Sequence, residues 1–509
     1  MSLGGRKAAR VVLALAVAGG FAVAGPAGSV PVGDSAIAAY SLLHGAAAQG
    51  SRQAQAASYT SPGMADTPRA QCGPGDRPET SWMGRVPLAD FVSGRAQAGY
   101  TCNATDVGQE GSTGGYAVWR YVDRAGHVCG FYDGTLTFPV NEVSGKPGGV
   151  VVLDMSEPVT PRRTAVLDTP AMRTPHESLR LNTKRGLLVA VAGSSATQAG
   201  EIDVYDVSHD CRTPTLLAIS PMGVLGHEGA FSPDGMTYWA TTTAGPGLSA
   251  IDLTDPTKPT LLMRWLTIQA HGLSVSDDGN RLYLADLTDY VTQTSQGGGG
   301  LRILDVSAVQ RRGAIPTALP EISFLTWPEV TIPQSTIPVT IHGRRYLVEF
   351  DEFDTSVWGY SPDENVGGVR LIDIGDERHP RVVSRMRLSV WEHPQRATDQ
   401  QQDPGATSGT QGYAAHYCAV PRRSNPGILA CSTILSGLRV FDIRDPLRPR
   451  EVAYANHPAV NVSAPDKSGG SYAMSAPAFD LARHQVWYTD GNTGFWVEQL
   501  SPTAWPLSP

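Results

Sequence analysis

Four histidines at corresponding positions of a repeated sequence are the side chains best suited to chemistry in this chain. Two of them lie eight residues before the glycine of an Asp-Gly pair, and the others begin similar stretches. Neutral imidazole binds Zn, Cu or Fe. If the repeats form a ring, equivalent positions converge on its axis, and the sequence then predicts a divalent metal site made by His176, His227, His271 and His416.

Two glutamates directly follow histidines of this set and extend the candidate site. Glu177 follows His176, and Glu228 follows His227. A carboxylate in such a position can act as a further ligand or can hydrogen-bond to a ligating imidazole. The simpler interpretation, which the residues alone favour, is that each histidine bonds to the neighbouring repeat and has only a structural role. Both interpretations stay open here.

Six aspartates recur with the same repeat, and their spacing argues against a shared catalytic role. Each ends a strand-like stretch such as Gly437-Leu-Arg-Val-Phe-Asp442, and most are followed two residues later by Ser, Thr or Gly. This is the pattern of an Asx turn, in which the carboxylate accepts a backbone N–H. One acid in each repeat is too far from the next to share an ion. We therefore expect a turn role for Asp154, Asp206, Asp252, Asp305, Asp373 and Asp442.

The elements that would position these side chains are β-strands. Seven copies of the stretch begin at glycines 149, 200, 247, 300, 368, 437 and 494, and the seventh copy lacks the acid. A hairpin precedes each copy, most clearly at the Asp-Gly pairs ending in Gly235 and Gly279. No convincing helix follows residue 110. The sequence therefore predicts an all-β protein, a seven-bladed β-propeller with four-stranded blades.

The core Gly-Leu-Arg-Val-x-Asp followed by Asp-Pro-x-x-Pro resembles the LVIVD-repeat family of secreted and cell-surface β-propellers. The resemblance covers about residues 145–509 and implies the fold, but it implies no particular activity. Seven-bladed carotenoid oxygenases, which bind iron through axial histidines, are an analogy of fold only. Few residues follow the seventh copy, so we expect a closing strand from the 80–108 region.

The fifth repeat lacks the histidine and carries acids instead. The segment from Gln334 to Val339 takes the place of the histidine-bearing strand. The next strand ends in four acidic residues, for which we expect a solvated loop face. A cation or a basic partner is the alternative for Glu349, Asp351, Glu352 and Asp354.

The N-terminal residues predict export. Three basic residues precede an apolar run from Val11 to Val23 and then small residues, the pattern of a signal peptide. The run is shorter than the ~20 residues that a membrane-spanning helix needs, so we expect no membrane span in the mature protein. The predicted domains are a signal peptide (1–25), a flexible linker (26–70), an N-terminal disulfide-bearing segment (71–114) and the propeller (115–509).

Six cysteines fit an oxidising compartment and predict three disulfides. Cys418 and Cys431 flank a predicted hairpin turn, so this pair is favoured. Cys102 with Cys129 is the second choice, which leaves Cys72 with Cys211.

The net charge of -8 argues against nucleic acid or anionic lipid as the main partner. Motifs of serine hydrolases, zincins and P-loop proteins are missing from the sequence. The leading hypothesis is a secreted, extracellular or cell-surface monomer. It would act as a binding scaffold for a protein, glycan or small ligand. The alternative is an extracellular enzyme with a histidine-bound metal, with oxidoreductase as the favoured class.

Overall fold

A computed structural model of the chain describes residues 66–134, 148–193, 200–222, 226–242, 247–287, 299–327, 332–352, 368–391, 398–407, 412–460 and 469–506. The predicted signal peptide (1–25) and residues 26–65 of the predicted linker lie outside these ranges. Residues 66–70, also assigned to the linker, contact the propeller. The N–H of Thr67 donates to the carbonyl of Arg387, and the N–H of Ala70 donates to Glu451 Oε2 (3.1 Å).

Seven antiparallel sheets confirm the predicted seven-bladed β-propeller. Strands β1 (Tyr100–Cys102) and β2 (Ala104–Glu110) precede the first blade. Blade I contains β3 (Val118–Val122), β4 (Val128–Asp133), β5 (Val150–Asp154) and β6 (Arg162–Leu167). Blade II contains β7 (Arg180–Asn182), β8 (Leu187–Val191), β9 (Glu201–Asp206) and β10 (Thr215–Pro221). Blade III contains β11 (Gly226–Phe231), β12 (Thr237–Thr242), β13 (Leu248–Asp252) and β14 (Thr260–Trp265).

The remaining blades follow the same order. Blade IV contains β15 (Ala270–Val275), β16 (Arg281–Asp286), β17 (Gly300–Asp305) and β18 (Glu321–Thr326). Blade V contains β19 (Ile332–Ile341), β20 (Arg344–Glu352), β21 (Val369–Asp373) and β22 (Arg381–Met386). Blade VI contains β23 (Cys418–Ala419), β24 (Ile428–Thr433), β25 (Gly437–Asp442) and β26 (Arg450–Asn456). Blade VII contains β27 (Ala478–Asp480), β28 (Gln485–Asp490) and β29 (Gly494–Leu500).

The repeated stretch is the third strand of each blade, and its acid makes the predicted turn. Asp206 Oδ1 accepts the backbone N–H of Ser208 (2.7 Å), and Asp442 Oδ1 accepts that of Arg444 (3.0 Å). The other four acids make the same bond two residues ahead. These aspartates therefore hold the exit turn of the third strand, as expected.

The Asp-Gly pairs form the predicted hairpins. Strand β11 pairs with β12, and β15 pairs with β16. Gly235 and Gly279 have φ angles of 72° and 75°, where a Cβ atom would be strained. The Asp-Gly pair thus fixes the register of the first two strands, and with it the height of the histidines in the ring.

Short helices interrupt the strand pattern, which the sequence did not predict. They are α1 (Leu88–Ser93), α2 (Pro170–Arg173) and α3 (Ser307–Gln310), with 3₁₀ turns at Arg95–Ala98, Ser389–Trp391, Asp399–Gln402 and Ile434–Ser436. Each is too short for an amphipathic period to be visible in the sequence. None of the helices in the described part of the chain has the length and apolar character needed to cross a membrane.

The hydrophobic core lies between neighbouring blades. Residues of β5 and β25 are buried along their whole length. Each blade packs between two neighbours, so the preceding blade covers one face of the third strand and the following blade covers the other. One cluster joins Phe131 of blade I to Leu188 of blade II, and another joins Trp487 of blade VII to Val151 of blade I. Packing between blades is therefore what holds the ring together.

The N-terminal segment closes the ring. Strand β2 pairs with β29 and becomes the outer strand of blade VII, so a strand at 104–110 supplies the closure expected from the 80–108 region. Strand β1 adds a fifth strand to blade VI through β26. Residues 71–114, assigned from the sequence to a separate segment, therefore contribute strands to two blades.

One disulfide prediction is confirmed and two are wrong. Cys418 and Cys431 are joined across the pair β23–β24. Cys102 pairs with Cys72, and Cys129 pairs with Cys211. Cys102 ends β1 on blade VI whereas Cys129 lies on blade I, and this separation follows from the ring closure, which sequence spacing does not reveal.

Candidate functional site

The four predicted histidines come together where blades I to VI meet. The imidazole centroids of His176 and His227 are 4.6 Å apart, and those of His227 and His271 are 4.4 Å apart. The ring of Tyr116, which precedes β3, lies 4.8 Å from His176 and 5.8 Å from His416. Residues from blades I, II, III, IV and VI therefore form most of a circle.

Glu352, at the end of β20 in blade V, completes this circle. Its Oε1 lies 3.0 Å from His271 Nε2, and its Oε2 lies 3.2 Å from His416 Nε2. Glu177 also enters the circle, with Oε1 at 3.5 Å from His416 Nε2 and Oε2 at 3.3 Å from His227 Nδ1. The name axial cluster is used below for His176, His227, His271, His416, Glu177 and Glu352.

Two of the imidazoles are oriented by backbone carbonyls. Nδ1 of His271 lies 2.6 Å from the carbonyl of Pro333, and Nδ1 of His416 lies 2.6 Å from that of Met474. A carbonyl accepts only, so Nδ1 carries the proton in both rings. Each Nε2 is thereby directed at Glu352, as in proteins whose histidines ligate a metal through one nitrogen and donate through the other.

The other two imidazoles lack such support. Nδ1 of His176 and Nδ1 of His227 are buried and have no hydrogen-bond partner in the described residues. His176 also has a φ of 49°, in the left-handed region that non-glycine residues seldom adopt. A buried nitrogen without a partner is costly unless it serves another purpose.

Burial and charge move the pKa values of this cluster in opposite directions. Burial lowers the pKa of His176 to about 4, against the attraction of Glu352, and burial with neighbouring imidazoles lowers that of His227 strongly. Burial also acts on His271, but Glu352 outweighs it and raises the pKa to about 9. Burial, together with Glu352, raises the pKa of Glu177 to about 7. Neutral and charged imidazoles thus stand side by side.

Glu228 lies beside the axial cluster rather than among the histidine nitrogens. Its Oε1 accepts from Arg180 (2.5 Å) and from the hydroxyl of Ser335 (2.8 Å), while its Oε2 is buried without a hydrogen-bond partner in the described residues. Burial raises its pKa, although Arg180 opposes this. Glu228 therefore forms an ion pair with an arginine, whereas the ion-pair contacts of Glu352 in the described residues are with His271 and His416.

Gln334 lies near the start of β19, in the blade V segment that takes the place of the histidine-bearing strand. Its Nε2 donates to Glu177 Oε2 (2.5 Å) and contacts the hydroxyl of Tyr417 (2.8 Å), which itself donates to Glu177 Oε2 (3.0 Å). Gln334 and Tyr417 therefore hold one oxygen of Glu177 in place.

The expected register of the histidines is only partly observed. His227 and His271 are the second residues of β11 and β15, whereas His176 and His416 lie in the loops before β7 and β23. The side chains converge despite this difference, because the loops lie at the same end of the blades.

The acidic residues of blade V are buried, so the expected solvated loop face is wrong for those that are described. Glu349 and Asp351 both bind the guanidinium of Arg370, at 2.6 and 2.7 Å. Glu352 belongs to the axial cluster. Strand alternation alone could not show this, because β20 is covered on both faces. Asp354 lies outside the described residues.

Sequence reasoning also missed Glu352 and Tyr116 as neighbours of the histidines. Glu352 is the last residue of a second strand, and Tyr116 precedes a first strand of blade I. Tyr116 precedes the first strand of blade I, as His176 and His416 precede the first strands of their blades. This shared position was the sequence signal that could have placed Tyr116 beside the histidines.

A second group of histidine and carboxylates lies at the ring closure and is called the closure triad, comprising Asp106, His457 and Glu498. Nε2 of His457 lies 3.0 Å from Glu498 Oε1 and 3.3 Å from Asp106 Oδ1. Its ring stacks on Trp496 with centroids 3.8 Å apart. Burial opposes the charged imidazole, but both acids outweigh it and raise the pKa of His457 to about 9.

The comparisons with known proteins add little to this geometry. No protein-family model matches the sequence, and no curated protein sequence matches it. A β-propeller domain from Myceliophteria thermophila is 11% identical, with a TM-score of 0.48 over 78% of this chain and 100% of that chain. A putative 6-phosphogluconolactonase from Bacteroides fragilis is 10% identical, with a TM-score of 0.44 over 70% and 90%. A periplasmic gluconolactonase from Pseudomonas aeruginosa is 14% identical, with a TM-score of 0.42 over 79% and 96%. Similarities this low support no inference about function.

Proposed function

We propose that this protein is an extracellular β-propeller whose function depends on a transition-metal ion bound by the axial cluster. The observation that carries the proposal is the spacing of the ligand-type atoms. Bonds of about 2.0–2.2 Å to a tetrahedral ion place ligand atoms roughly 3.3–3.6 Å apart. Two of the four nitrogen–oxygen distances in the axial cluster, 3.3 and 3.5 Å, lie in this range, and the other two, 3.0 and 3.2 Å, are slightly shorter.

The partners of the histidines support the same proposal. The Pro333 and Met474 carbonyls fix the tautomers of His271 and His416, so both rings present Nε2. Without a cation, each of these Nε2 atoms needs a proton between it and Glu352, on the nitrogen or on the carboxyl oxygen. A bound cation would satisfy the same nitrogens and carboxylates without that protonation, and it would also provide a partner for the buried Nδ1 of His227.

The ligand types indicate which ions to test. Imidazole with carboxylate suits Zn, Cu and Fe, whereas Ca²⁺ and Mg²⁺ prefer sites made of oxygen atoms. A redox-active Cu or Fe ion would supply electron-transfer chemistry, and on this basis we propose oxidoreductase as the enzyme class. The residues that would hold the ion are those of the axial cluster.

A scaffold that binds an extracellular protein, glycan or small ligand without metal is the second candidate. It is favoured by the contacts of Glu352, because hydrogen bonds to His271 and His416 can satisfy its carboxyl group without a cation. In that case the cluster would only rigidify the ring. Membership of the LVIVD-repeat family and a monomeric state remain part of this proposal. Three disulfides in the described chain are compatible with secretion.

Elemental analysis of the purified, disulfide-intact protein tests the proposal. We expect stoichiometric Zn, Cu or Fe in the native chain and a lower metal content in both His227→Ala and His271→Ala. The matched control is His209→Ala. His209 is exposed just after the end of β9, and it belongs to none of the groups of potential metal ligands in the described residues. Protein that stays metal-free after incubation with each ion would overturn the metal proposal and leave the scaffold.

A further inference from the structure

The carboxylate of Glu177 faces two different sets of histidine nitrogens. Its Oε2 lies 3.3 Å from Nδ1 of His227, and its Oε1 lies 3.5 Å from Nε2 of His416. Among the described residues, two groups of potential ligands share Glu177, and in each group one ligand atom from every residue lies within 4.8 Å of the others. The first contains His176 and His227, and the second contains Glu352 and His416.

Each group has the composition of a metal site by itself. The first offers two imidazoles and one carboxylate oxygen, and the Nδ1 atoms of His176 and His227 are both buried without a hydrogen-bond partner in the described residues. The second offers one imidazole and two carboxylates. It gains His271, whose Nε2 lies 3.0 Å from the other oxygen of Glu352. A single ion would leave one of these groups without a cation.

We infer that the axial cluster is a two-metal site in which Glu177 bridges the ions, one oxygen to each. This inference rests on the proposed metal-binding function. The first ion would be held by His176, His227 and Glu177, and the second by His271, His416, Glu352 and Glu177.

The surroundings of Glu177 fit a bridging role. A bridging carboxylate must be held still, and Gln334 and Tyr417 both donate to its Oε2. Because a carboxylate oxygen has two lone pairs, the first ion would replace one of these donors at Oε2. The backbone N–H of Glu177 donates to the carbonyl of His227 (3.2 Å), which ties blades II and III at this position. Its side chain is almost entirely buried. Within the described part of the chain, Glu352 has contacts of this kind with His271 and His416 only, as a ligand of one ion would.

Metal titration of the full disulfide-bonded chain distinguishes one ion from two. Metal-free protein is titrated with Cu²⁺, and the bound ions are counted by elemental analysis and native mass spectrometry. We expect two ions per chain. The paramagnetic signal should be smaller than that of two isolated Cu²⁺ ions, because spins couple through a shared carboxylate.

Variants assign each ion to its ligands. The double variant His176→Ala/His227→Ala should bind one ion, and Glu352→Gln/His416→Ala should bind the other. Glu177→Gln should bind at most one, and any remaining signal should be that of an isolated ion. The control His209→Ala should bind two coupled ions.

The outcomes separate this inference from the function on which it rests. A native chain that binds no metal overturns both. One ion per chain overturns only the two-metal inference and leaves the metal-binding function standing. Two ions without spin coupling, or two ions retained by Glu177→Gln, show that Glu177 does not bridge.

Discussion

The axial cluster and the closure triad contain the same kinds of side chain in different proportions. In the closure triad one imidazole lies between two carboxylates, and Arg77 pairs with Asp106 at 2.6 Å. In the axial cluster four imidazoles surround two carboxylates. Positive and negative groups are therefore equal in number at the closure, whereas imidazoles outnumber carboxylates in the axial cluster. Both groups retain buried polar atoms without a hydrogen-bond partner in the described residues: Oδ1 of Asp106 and Oε2 of Glu498 at the closure, and Nδ1 of His176 and His227 in the axial cluster.

The difference follows from what each group must do for the fold. Asp106 and Glu498 are directly opposite each other on β2 and β29. Like charges in that position are destabilising, so a protonated His457 between them stabilises the closing strand. In the axial cluster, His271 and His416 bond to the neighbouring blades through the carbonyls of Pro333 and Met474, but Nδ1 of His176 and Nδ1 of His227 have no such partner in the described residues. A histidine–carboxylate group can thus be explained by stability in one place and calls for a ligand in the other.

The largest expected effect is a difference in the free energy of unfolding between a variant in the closure triad and a variant in the axial cluster. In metal-free protein, His457→Leu should destabilise the fold by about 3–5 kcal/mol, because the buried carboxylate of Glu498 and the partly exposed one of Asp106 lose the charge between them. His227→Leu should cost less than about 1 kcal/mol, because its Nδ1 has no hydrogen bond to lose. Denaturant unfolding measures both. A larger loss for His227→Leu would contradict the assignment of the closure triad as the structural group.

The next effect is a pH dependence at the closure. The pKa of His457 is raised to about 9, so its stabilisation is complete below the ordinary value near 6.5 and is lost as the pH rises through about 9. The stability difference between native protein and His457→Gln should shrink by roughly 2–3 kcal/mol over this interval. Asp106 and Glu498 contact the imidazole, Arg77 pairs with Asp106, and the buried Asp490 also interacts with the charge of His457. A difference that does not change between pH 6 and pH 10 would mean that His457 is neutral.

Metal addition should also distinguish the two groups, but here the variant in the axial cluster should differ from native protein and the variant in the closure triad should not. Zn²⁺ at ten times its Kd should stabilise the native protein by about 1.4 kcal/mol, and EDTA should reverse this. His457→Leu should respond equally, since the closure triad is not the metal site. His227→Leu should respond less. Thermal unfolding with and without Zn²⁺ gives the answer, and equal responses from all three proteins would remove the distinction.

The smallest effect concerns the repeated acid. Asp206→Ala should cost about 1 kcal/mol, the usual value of one hydrogen bond, because its carboxylate accepts the N–H of Ser208. Metal content should not change. Loss of metal in this variant would show that the third-strand acids affect the axial cluster and are more than turn residues.

Much of the fold could be predicted because its signals are local. Each of these signals depends on a few neighbouring residues: the turn acid, the Asp-Gly pair and the pattern of the third strand. The third-strand pattern occurs seven times and the turn acid six times, so the repeat is easy to recognise. The Cys418–Cys431 bond was predictable for the same reason. The other two disulfides depend on how β1 and β2 join blades VI and VII, which is a long-range property.

The candidate site was predictable only in part. Register within the repeat identified His176, His227, His271 and His416 as equivalent. It could not show that Glu352 lies between His271 and His416, because blade V carries no histidine and its acids resemble a solvated loop.

The sequence by itself determined the repeat, the turns and the equivalence of the histidines, since these follow from local backbone preferences and a fixed period. Only the tertiary structure decided which atoms meet. Closure of the ring brings Glu177 to His416 across more than two hundred residues, with Oε1 and Nε2 3.5 Å apart. Such a contact depends on the geometry of all the blades together, and no local pattern contains it.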